Sequence, residues 1–415
     1  MTNKPVSVAL VGIGGFARNY LEVFLDRMKP GEMEFVAVID PVADRSPRYQ
    51  EILNRHIPVY NTLEEFYAEH MAELVVISSP VQFHKEQVLT AFEHGSHVLS
   101  EKPLTVFAED VALLHNEARK RGLLLAVGFQ WSFTPRMLAF KKDILRGRFG
   151  KPLECRALAV WQRGTGYFQG WHGHLKDNQG NLLMDTMATN AEAHYLHAGL
   201  FLLGDAIDTA RMPERVKASL YAAKPEPYFD TCYIDCDLGG GLHHKAYLSI
   251  AGDTEHMLQI EIRFENAVAT LFSSAVDDGQ HLQVCMNDGT VIDYDELCGS
   301  DGNVTENKFR QVLAALRNPE VTVTCQAATT LPFATICNSL FACVPVHPVP
   351  AEYLYEQKES PRDGLFIRNL YEDFRACYLD GSSPYEKGLP WAVPDTAYTL
   401  LTPHDYKLAL EEKFR

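Results

Sequence analysis

The first 127 residues alternate short apolar runs with segments of helical periodicity, and this alternation is the strongest constraint on the fold. Such alternation is typical of βαβ units, whose parallel strands are buried under helices. The predicted strands are Val6–Val11, Glu34–Ile39, Leu74–Ile77, His97–Leu99 and Leu124–Val127, and the predicted helices are Asn19–Met28, Leu63–Glu69, Lys85–Glu93 and Ala108–Arg121. We therefore predict a doubly wound α/β domain over residues 1–127.

The pattern of apolar and polar residues changes after Gly128. Long alternating runs such as "HMLQIEIRF" and "TVIDYDE" are typical of antiparallel strands with one exposed face. The predicted helices are Pro135–Arg146, Ala191–Leu203, Glu306–Leu316 and Ala327–Ala342. We predict an α+β domain over residues 128–345 with a large, mostly antiparallel open sheet. Residues 346–415 form an extension packed on the core, with one helix near Asp363–Leu379.

Composition excludes several classes of protein. No apolar run approaches the roughly 18 residues of a spanning helix, and the start of the chain is strand-like, so we expect a cytoplasmic protein that contacts no membrane. A formal charge of −16 without clustered basic residues argues against nucleic-acid binding. The nine cysteines lack close C-x-x-C pairs and are interpreted as buried structural residues, Cys232 and Cys236 included. His243 and His244 are expected at the surface.

A glycine-rich turn follows the first predicted strand. In "VALVGIGGFARNY", Gly12, Gly14 and Ala17 form a G-x-G-x-x-A pattern between a strand and a helix. Gly12 permits the turn, Gly14 lets the backbone approach a pyrophosphate, and Ala17 lets the helix lie close to the sheet. Asp40 ends the next strand, where a carboxylate binds ribose hydroxyls and repels a 2′-phosphate. The pattern favours NAD over NADP, although Asp40 could instead be a turn or capping residue before Pro41.

Two further segments carry a resemblance to a known family. Together with the glycine turn, "VVISSPVQFHKEQVLTAFEHGSHVLSEKPLT" and "VGFQWSFTPRMLAFKKDILRGRFGKPLECRALAVWQR" resemble the Gfo/Idh/MocA oxidoreductases from about Val6 to Pro345. The resemblance implies that Lys102 of the E-K-P triplet is catalytic, lies beside the nicotinamide and the substrate hydroxyl, and precedes a cis bond to Pro103. It also implies a set of NAD-binding residues: Gly12, Gly14, Gly15, Phe16, Ala17, Asp40, Ser79, Pro80, His84, Glu101, Lys102 and Gln130.

The family's second signature, D-x-G-x-H-x-x-D, matches here with two departures at its acidic positions. The segment runs from Asn190 to His197, so Asn190 replaces the first carboxylate and His197 the last, while His194 keeps the family's histidine. Asparagine can hold a hydroxyl group but cannot accept a proton. His194 would then be the general base alone, or Asp185 would assist it. A packed helix histidine is the alternative interpretation of His194.

Aromatic and basic residues crowd into the stretch before this segment. Aromatic faces stack on sugars, while Arg and His bind hydroxyl or carboxylate groups, so a sugar or polyol substrate fits; packing against the sheet is the alternative. The residues are Trp161, Arg163, Tyr167, Phe168, Trp171, His172 and His174. We predict that Trp161, Arg163, His172, Asn190, His194 and Lys102 contact the substrate. No carboxylate completes a metal set with the histidines, so no metal is predicted.

The resemblance favours an NAD-dependent oxidoreductase that removes hydride from a secondary hydroxyl of a sugar, inositol or related polyol. Two alternatives stay open: an enzyme that retains NAD and oxidises a sugar transiently to permit elimination, and a non-catalytic sensor. The strands between Met257 and Asp293 have a face bearing Leu258, Ile260 and Ile262, which needs cover. We therefore expect a homodimer or homotetramer.

Overall fold

The computed structural model describes residues 4–169, 172–225, 228–273, 280–359 and 361–415. Trp171 and the side chain of Leu258, both used in the predictions above, lie outside the described residues. Within the described ranges, no helix is both long and apolar enough to cross a membrane. The chain forms two compact units, residues 1–134 with 301–331 and residues 135–300 with 332–415.

The strands are, in chain order, β1 (Val6–Val11), β2 (Met33–Ile39), β3 (Val59–Tyr60), β4 (Leu74–Ile77), β5 (His97–Ser100), β6 (Leu125–Val127), β7 (Pro152–Gln162), β8 (Arg215–Ala222), β9 (Thr231–Asp237), β10 (His243–Ser249), β11 (Ala251–Phe264), β12 (Ala267–Ser273), β13 (Gln280–Met286), β14 (Val291–Asp293), β15 (Val346–Pro348), β16 (Leu354–Gln357), β17 (Gly364–Ile367) and β18 (Thr396–Thr399). The α-helices are α1 (Ala17–Glu22), α2 (Tyr49–Asn54), α3 (Leu63–Glu69), α4 (His84–Glu93), α5 (Ala108–Arg121), α6 (Pro135–Leu145), α7 (Ala193–Leu202), α8 (Tyr294–Cys298), α9 (Val304–Arg317), α10 (Ala327–Cys343), α11 (Leu370–Asp380) and α12 (Pro403–Lys413). Two π-helical segments, Val23–Arg27 and Met187–Ala191, adjoin α1 and α7.

The first unit is the predicted doubly wound domain. Its strands pair in parallel in the order β3-β2-β1-β4-β5-β6, so the strand order reverses between β1 and β4. The five predicted strands are confirmed to within one residue at each end. The sequence analysis missed β3 because two residues are too few to produce a periodic signal.

Helix α9 groups with the first unit, although the sequence analysis placed it in the second domain. The reason is a set of contacts that periodicity cannot predict. Lys308 pairs with the carboxylate of Glu101, and the ring of Phe309 lies 4.6 Å from that of Phe24. Both partners belong to the first 134 residues.

The second unit is built on a large mixed sheet in the order β14-β13-β12-β11-β7-β10-β9-β8-β15. The pairs β7–β10 and β8–β15 are parallel, while the other pairs along this path are antiparallel. The predicted fold class, a doubly wound domain joined to an α+β domain with a mostly antiparallel sheet, is thus confirmed.

The sequence analysis expected one face of this sheet to be covered by a partner subunit, but residues of the same chain cover it. Ile260 and Ile262, predicted to need a partner, are each only 1% exposed within the chain. The opposite face is partly covered by residues 346–415, whose α11 packs against β7 and β11. Phe374, Tyr378 and Trp391 of this extension form one apolar cluster with sheet residues such as Leu158 and Tyr247. The predicted helix from Asp363 begins instead at Leu370, because Gly364–Ile367 is strand β17, paired with β16.

Cysteine and histidine burial departs from the sequence analysis at four positions: Cys298 and Cys343 are half-buried, and Cys285 and His244 differ more strongly. Cys232 and Cys236 are buried as expected, but Cys285 is exposed on β13. His244, expected at the surface, is 0% exposed, and its Nε2 lies 3.2 Å from the carbonyl oxygen of Leu196. A Cβ on Gly199 would overlap the His244 ring, so this glycine of α7 makes room for the histidine.

Candidate cofactor and substrate sites

The glycine turn at the end of β1 has the backbone geometry that its sequence predicts. Gly12 has a φ of +80°, and a Cβ at this position would lie 2.9 Å from the carbonyl oxygen of Ser78 and the amide nitrogen of Ser79. No atom lies within 4 Å of a Cβ on Gly14, so space is open above that residue. The amide of Ala17 donates to the Gly14 carbonyl at 2.9 Å and starts α1.

Two other residues assigned to this turn lie at its rim. Gly15 adopts a φ of +44°, which a glycine tolerates best, and Phe16 is 39% exposed. Their positions leave the start of α1 accessible, as a pyrophosphate requires.

Asp40 directly follows β2 and is joined to the glycine turn. Its Oδ2 accepts a hydrogen bond from the amide of Ile13 at 2.9 Å, and its Oδ1 accepts one from the amide of Val42 at 2.9 Å. The first contact places the carboxylate beside the glycine turn, and the second is the local turn bond of the alternative interpretation.

His84 joins the loops that follow β4 and β5. Its Nε2 lies 2.8 Å from the carbonyl oxygen of Ser79, and its Nδ1 lies 3.1 Å from that of Pro103. The side chain is buried, and burial lowers the pKa of His84 while the neighbouring carbonyl groups oppose this effect. His84 thus connects the loop after β4 to the loop after β5. The hydroxyl of Ser79 donates to Gln87 at 2.6 Å, and Pro80 follows in extended conformation.

Glu101 is the centre of a buried hydrogen-bond network beneath the E-K-P turn. Its Oε1 accepts from the hydroxyl of Tyr20 at 2.8 Å and from the ammonium of Lys308, and its Oε2 accepts from the amide of Lys102 at 3.2 Å. Lys308 is 0% exposed. Burial and the nearby Glu101 carboxylate raise the pKa of Tyr20 well above its ordinary value. The network holds the backbone from which Lys102 projects.

The sequence analysis missed Lys308, although α9 contains a signal for it. The buried positions of this helix are Thr305, Lys308, Phe309, Val312 and Leu313, which recur at helical spacing. A lysine on the apolar face of a helix needs a buried partner. The sequence cannot identify that partner, because Glu101 lies 207 positions away.

Lys102 is partly exposed, and its bond to Pro103 is cis, as the resemblance implied. Gln130 lies in a short 3-10 helix after β6, and its Oε1 is buried without a hydrogen-bond partner among the described residues. The glycine turn, the Ser79 loop and the E-K-P turn all follow parallel strands at the carboxyl edge of one sheet, at the switch point between β1 and β4. Dinucleotides bind at this place in such sheets, and the residues present fit one.

In the second unit, β7 ends in the aromatic and basic stretch. The guanidinium of Arg163 lies 4.5 Å from the centre of the Trp161 ring, and it pairs with Glu255 of β11 at 2.8 Å. The Trp161 ring is 6.3 Å from that of Tyr195 on α7. Trp161 and Arg163, both predicted to contact the substrate, therefore lie together in the structure. Trp161 also packs near Tyr195, and Arg163 also pairs with Glu255.

His172 and Asn190 also meet. The Tyr167 ring stacks on the His172 ring at 4.8 Å between centroids, and Nδ1 of His172 lies 3.5 Å from Nδ2 of Asn190. Asn190 belongs to the π-helical segment, whose first turn is capped by Thr186 and Thr189. His194 follows one turn later on α7 and is 9% exposed.

Hydrogen-bond or ring contacts within the fold involve Asp185, His174 and His197. The Oδ2 of Asp185 accepts from the amide of Gly173 at 2.5 Å, and the carbonyl of His174 accepts from the amide of Asp185 at 3.1 Å. The ring of His197 lies 6.1 Å from that of Phe201 and 6.3 Å from that of Phe333. Burial and the charge of Lys141 lower the pKa of His197 to about 3. His197, at the family's last acidic position, is therefore a neutral packed residue.

Glu192 stands where the family signature has glycine, and the sequence analysis gave it no role. Its carboxyl group is fully buried, and the backbone of Ser249 lies within hydrogen-bonding reach of it. Burial raises the pKa of Glu192 well above its ordinary value, and the charge of Arg163 opposes this effect. A buried carboxyl group with a raised pKa thus lies within the segment that carries His194. In the described part of the chain, no group of three or more His, Cys, Asp or Glu residues could hold a metal ion.

Comparison with known proteins identifies relatives of both units. A protein-family model described as an oxidoreductase family with an NAD-binding Rossmann fold matches residues 6–129. The 2,7-anhydro-N-acetylneuraminate hydratase of Mediterraneibacter gnavus is 30% identical over 305 residues, which make up 72% of this chain and 70% of that protein. The D-glucoside 3-dehydrogenase of Escherichia coli is 27% identical over 210 residues, or 49% and 56% of the two chains. For other curated relatives, the matched region spans only 40% to 54% of their length.

Solved structures share the fold at low identity. An oxidoreductase from Agrobacterium radiobacter in complex with NAD+, L-tartaric acid and magnesium aligns with a TM-score of 0.62 at 19% identity, covering 81% of this chain and 95% of that one. Because the family model covers the glycine turn and the E-K-P turn, and the Mediterraneibacter gnavus relative matches over more than two thirds of its length, this chain belongs to the Gfo/Idh/MocA oxidoreductase family.

Proposed function

We propose that the protein is an NAD-dependent oxidoreductase that removes hydride from a secondary hydroxyl of a sugar, inositol or related polyol. The observation that carries the proposal is the arrangement of the first unit. A glycine turn that only glycine can form at Gly12 and a buried Glu101 network beneath Lys102 lie at the carboxyl edge of the same parallel sheet. NAD, when bound, supplies the hydride acceptor.

The proposal assigns different work to Lys102 and His194. Lys102 places a positive charge beside the reacting hydroxyl and favours its alkoxide character. His194 accepts the hydroxyl proton. Asn190, held near His172, binds a substrate hydroxyl by hydrogen bonds but does not accept its proton.

NAD is the proposed cofactor because of Asp40. Its carboxylate lies beside the glycine turn through the contact with Ile13, where it would accept hydrogen bonds from ribose hydroxyls and repel a 2′-phosphate. We expect NAD to bind at least roughly tenfold more tightly than NADP, a difference of about 1.4 kcal/mol, in fluorescence titrations of the purified protein. Replacing Asp40 with alanine should narrow this difference.

The activity itself is tested by following NADH formation with a panel of sugars and inositols. Replacing Lys102 with alanine should lower turnover by about a hundredfold to a thousandfold while NAD binding is retained, since the lost electrostatic stabilisation acts on the reacting oxygen. Lys120→Ala is the matched control, because that lysine lies on α5 with 70% of its side chain exposed. Full turnover in Lys102→Ala would contradict the assignment, and tightly retained NAD without net NADH release would favour transient oxidation instead.

A further inference from the structure

The extension of residues 346–415 contributes to a cavity in the second unit. The cavity has a volume of about 460 Å³ and is lined by residues 162–164 and 166–167 after β7, by Glu255 of β11 and by residues 361–363 of the extension. Its lining includes Arg163 and Tyr167, but not Asn190 or His194. Part of the predicted substrate-binding stretch therefore faces a space beyond the residues proposed to act on the reacting hydroxyl.

The polar groups of the cavity alternate in charge. The Glu255 carboxylate accepts from Arg163 at 2.8 Å and from Arg362 at 3.0 Å, and Arg362 also donates to Oε1 of Gln162 at 3.2 Å. Asp363 adds a second carboxylate, so the two positive and two negative charges balance. A lining of this kind offers both donors and acceptors without net charge. It suits hydroxyl groups, each of which donates and accepts, better than it suits a free anion.

The extension is held closely against the loop after β7. The amide of Thr165 donates to the Asp363 carbonyl at 2.8 Å, and the Thr165 hydroxyl contacts the Asp363 carboxylate. A Cβ on Gly164 would overlap the carbonyl oxygen of Pro361. Residues 361–363 of the extension thus pack directly against the loop after β7. The absence of a side chain at Gly164 permits this close contact.

Two ring and side-chain contacts connect the cavity to the candidate substrate site. Tyr167, at the cavity wall, stacks on His172, and His172 lies against Asn190. A substrate ring placed beside Asn190 and His194 would leave the cavity for another part of the same molecule. Tyr167 provides an aromatic ring at this boundary, as sugar sites commonly do.

We propose that this cavity binds a second sugar unit or glycosidic substituent, so that the substrate is a glycoside or oligosaccharide and Arg362 of the extension determines this specificity. The inference rests on the proposed function, because it takes Asn190 and His194 as the place where the reacting ring lies.

The test is calorimetric titration of the full chain, saturated with NAD, with disaccharides and their component sugars. The probes are maltose, cellobiose, lactose and melibiose, compared with glucose and galactose. We expect at least one disaccharide to bind at least about tenfold more tightly than its components. Arg362→Ala should remove this advantage. Arg375→Ala is the matched control, because that arginine lies on α11 of the same extension with 50% of its side chain exposed, against 51% for Arg362.

Three outcomes would overturn the inference: disaccharides that bind no better than their components, an advantage that survives Arg362→Ala, or binding of glucuronate that depends on Arg362 while no neutral disaccharide binds. Failure of the proposed function gives a different result. In that case no sugar reduces NAD, although binding of a disaccharide still depends on Arg362. If the function is right and the inference is wrong, sugars reduce NAD, but no disaccharide binds more tightly than its component sugars and Arg362→Ala changes neither affinity.

Discussion

His197 and His244 illustrate how burial decides the role of a single residue. Both are almost completely buried in the second unit, where desolvation disfavours the charged imidazolium. Burial lowers the pKa of His197 to about 3 and that of His244 to about 4. Each residue therefore stays neutral in the folded protein at pH values where the unfolded chain is protonated.

The two histidines predict a loss of stability in acid. The unfolded histidines bind protons below a pH of about 6.5, whereas the folded ones do not until the pH approaches 3 to 4, so stability is complete above about pH 6.5 and decreases below it. Each histidine contributes a decrease of about 1 kcal/mol per pH unit in that range. His197→Phe, whose ring can pack on Phe201, should reduce the difference in unfolding free energy between about pH 7.5 and 5.0 by roughly 2 kcal/mol.

Urea unfolding at the two pH values measures this difference. His404→Gln is the control, because His404 is exposed on α12 and the variant should keep the wild-type difference. An equal loss of stability in His197→Phe and the wild type would show that His197 does not remain neutral in the fold.

At the scale of the elements, the turn between β1 and α1 contains two glycines that are needed for different reasons. Gly12 is required by the fold, because a side chain would collide with the backbone of Ser78 and Ser79 and would also adopt a positive φ. Gly14 faces open space, so the fold alone does not require it. Its small size matters only if a cofactor approaches the backbone there.

The two alanine variants of this turn should therefore differ. Gly12→Ala should destabilise the first unit by more than about 1 kcal/mol, because it combines backbone strain with steric overlap. Gly14→Ala should keep the wild-type melting temperature but weaken NADH binding by about tenfold or more. Thermal unfolding and fluorescence titration give the two measurements. If Gly14→Ala bound NADH normally, the pyrophosphate would not lie at this turn.

Helix α11 has both buried and exposed apolar positions. Phe374 lies in the apolar cluster between the extension and the sheet, while Leu379 of the same helix is 54% exposed. Phe374→Ala should lower the free energy of unfolding by about 3 to 5 kcal/mol, because it removes buried apolar area and leaves a cavity. Leu379→Ala should change it by less than about 0.5 kcal/mol. Denaturant unfolding compares them, and similar losses would mean that the extension does not pack as described.

At the scale of the whole molecule, the packing of the extension on the sheet bears on the predicted oligomer. The prediction of a homodimer or homotetramer rested on an uncovered apolar face, but Ile260 and Ile262 are buried within the chain and α11 covers part of the opposite face. The oligomer stays a prediction, and sedimentation at micromolar concentration distinguishes it from a monomer of 46.7 kDa.

The sequence by itself determined the features that depend on neighbouring residues. The strands of the first sheet, the glycine turn and the E-K-P turn are readable because periodicity, positive φ and proline act over a few positions. The order of the motifs along the chain was enough to indicate the family.

Tertiary structure alone decided which distant residues meet and which side chains lose contact with water. Lys308 reaches Glu101 across 207 positions and draws α9 into the first unit, and Arg362 of the extension reaches Glu255. His244 is buried because Gly199 of another element makes room for it. Burial and ion pairing depend on segments brought together by folding, and no pattern within one segment identifies its partner.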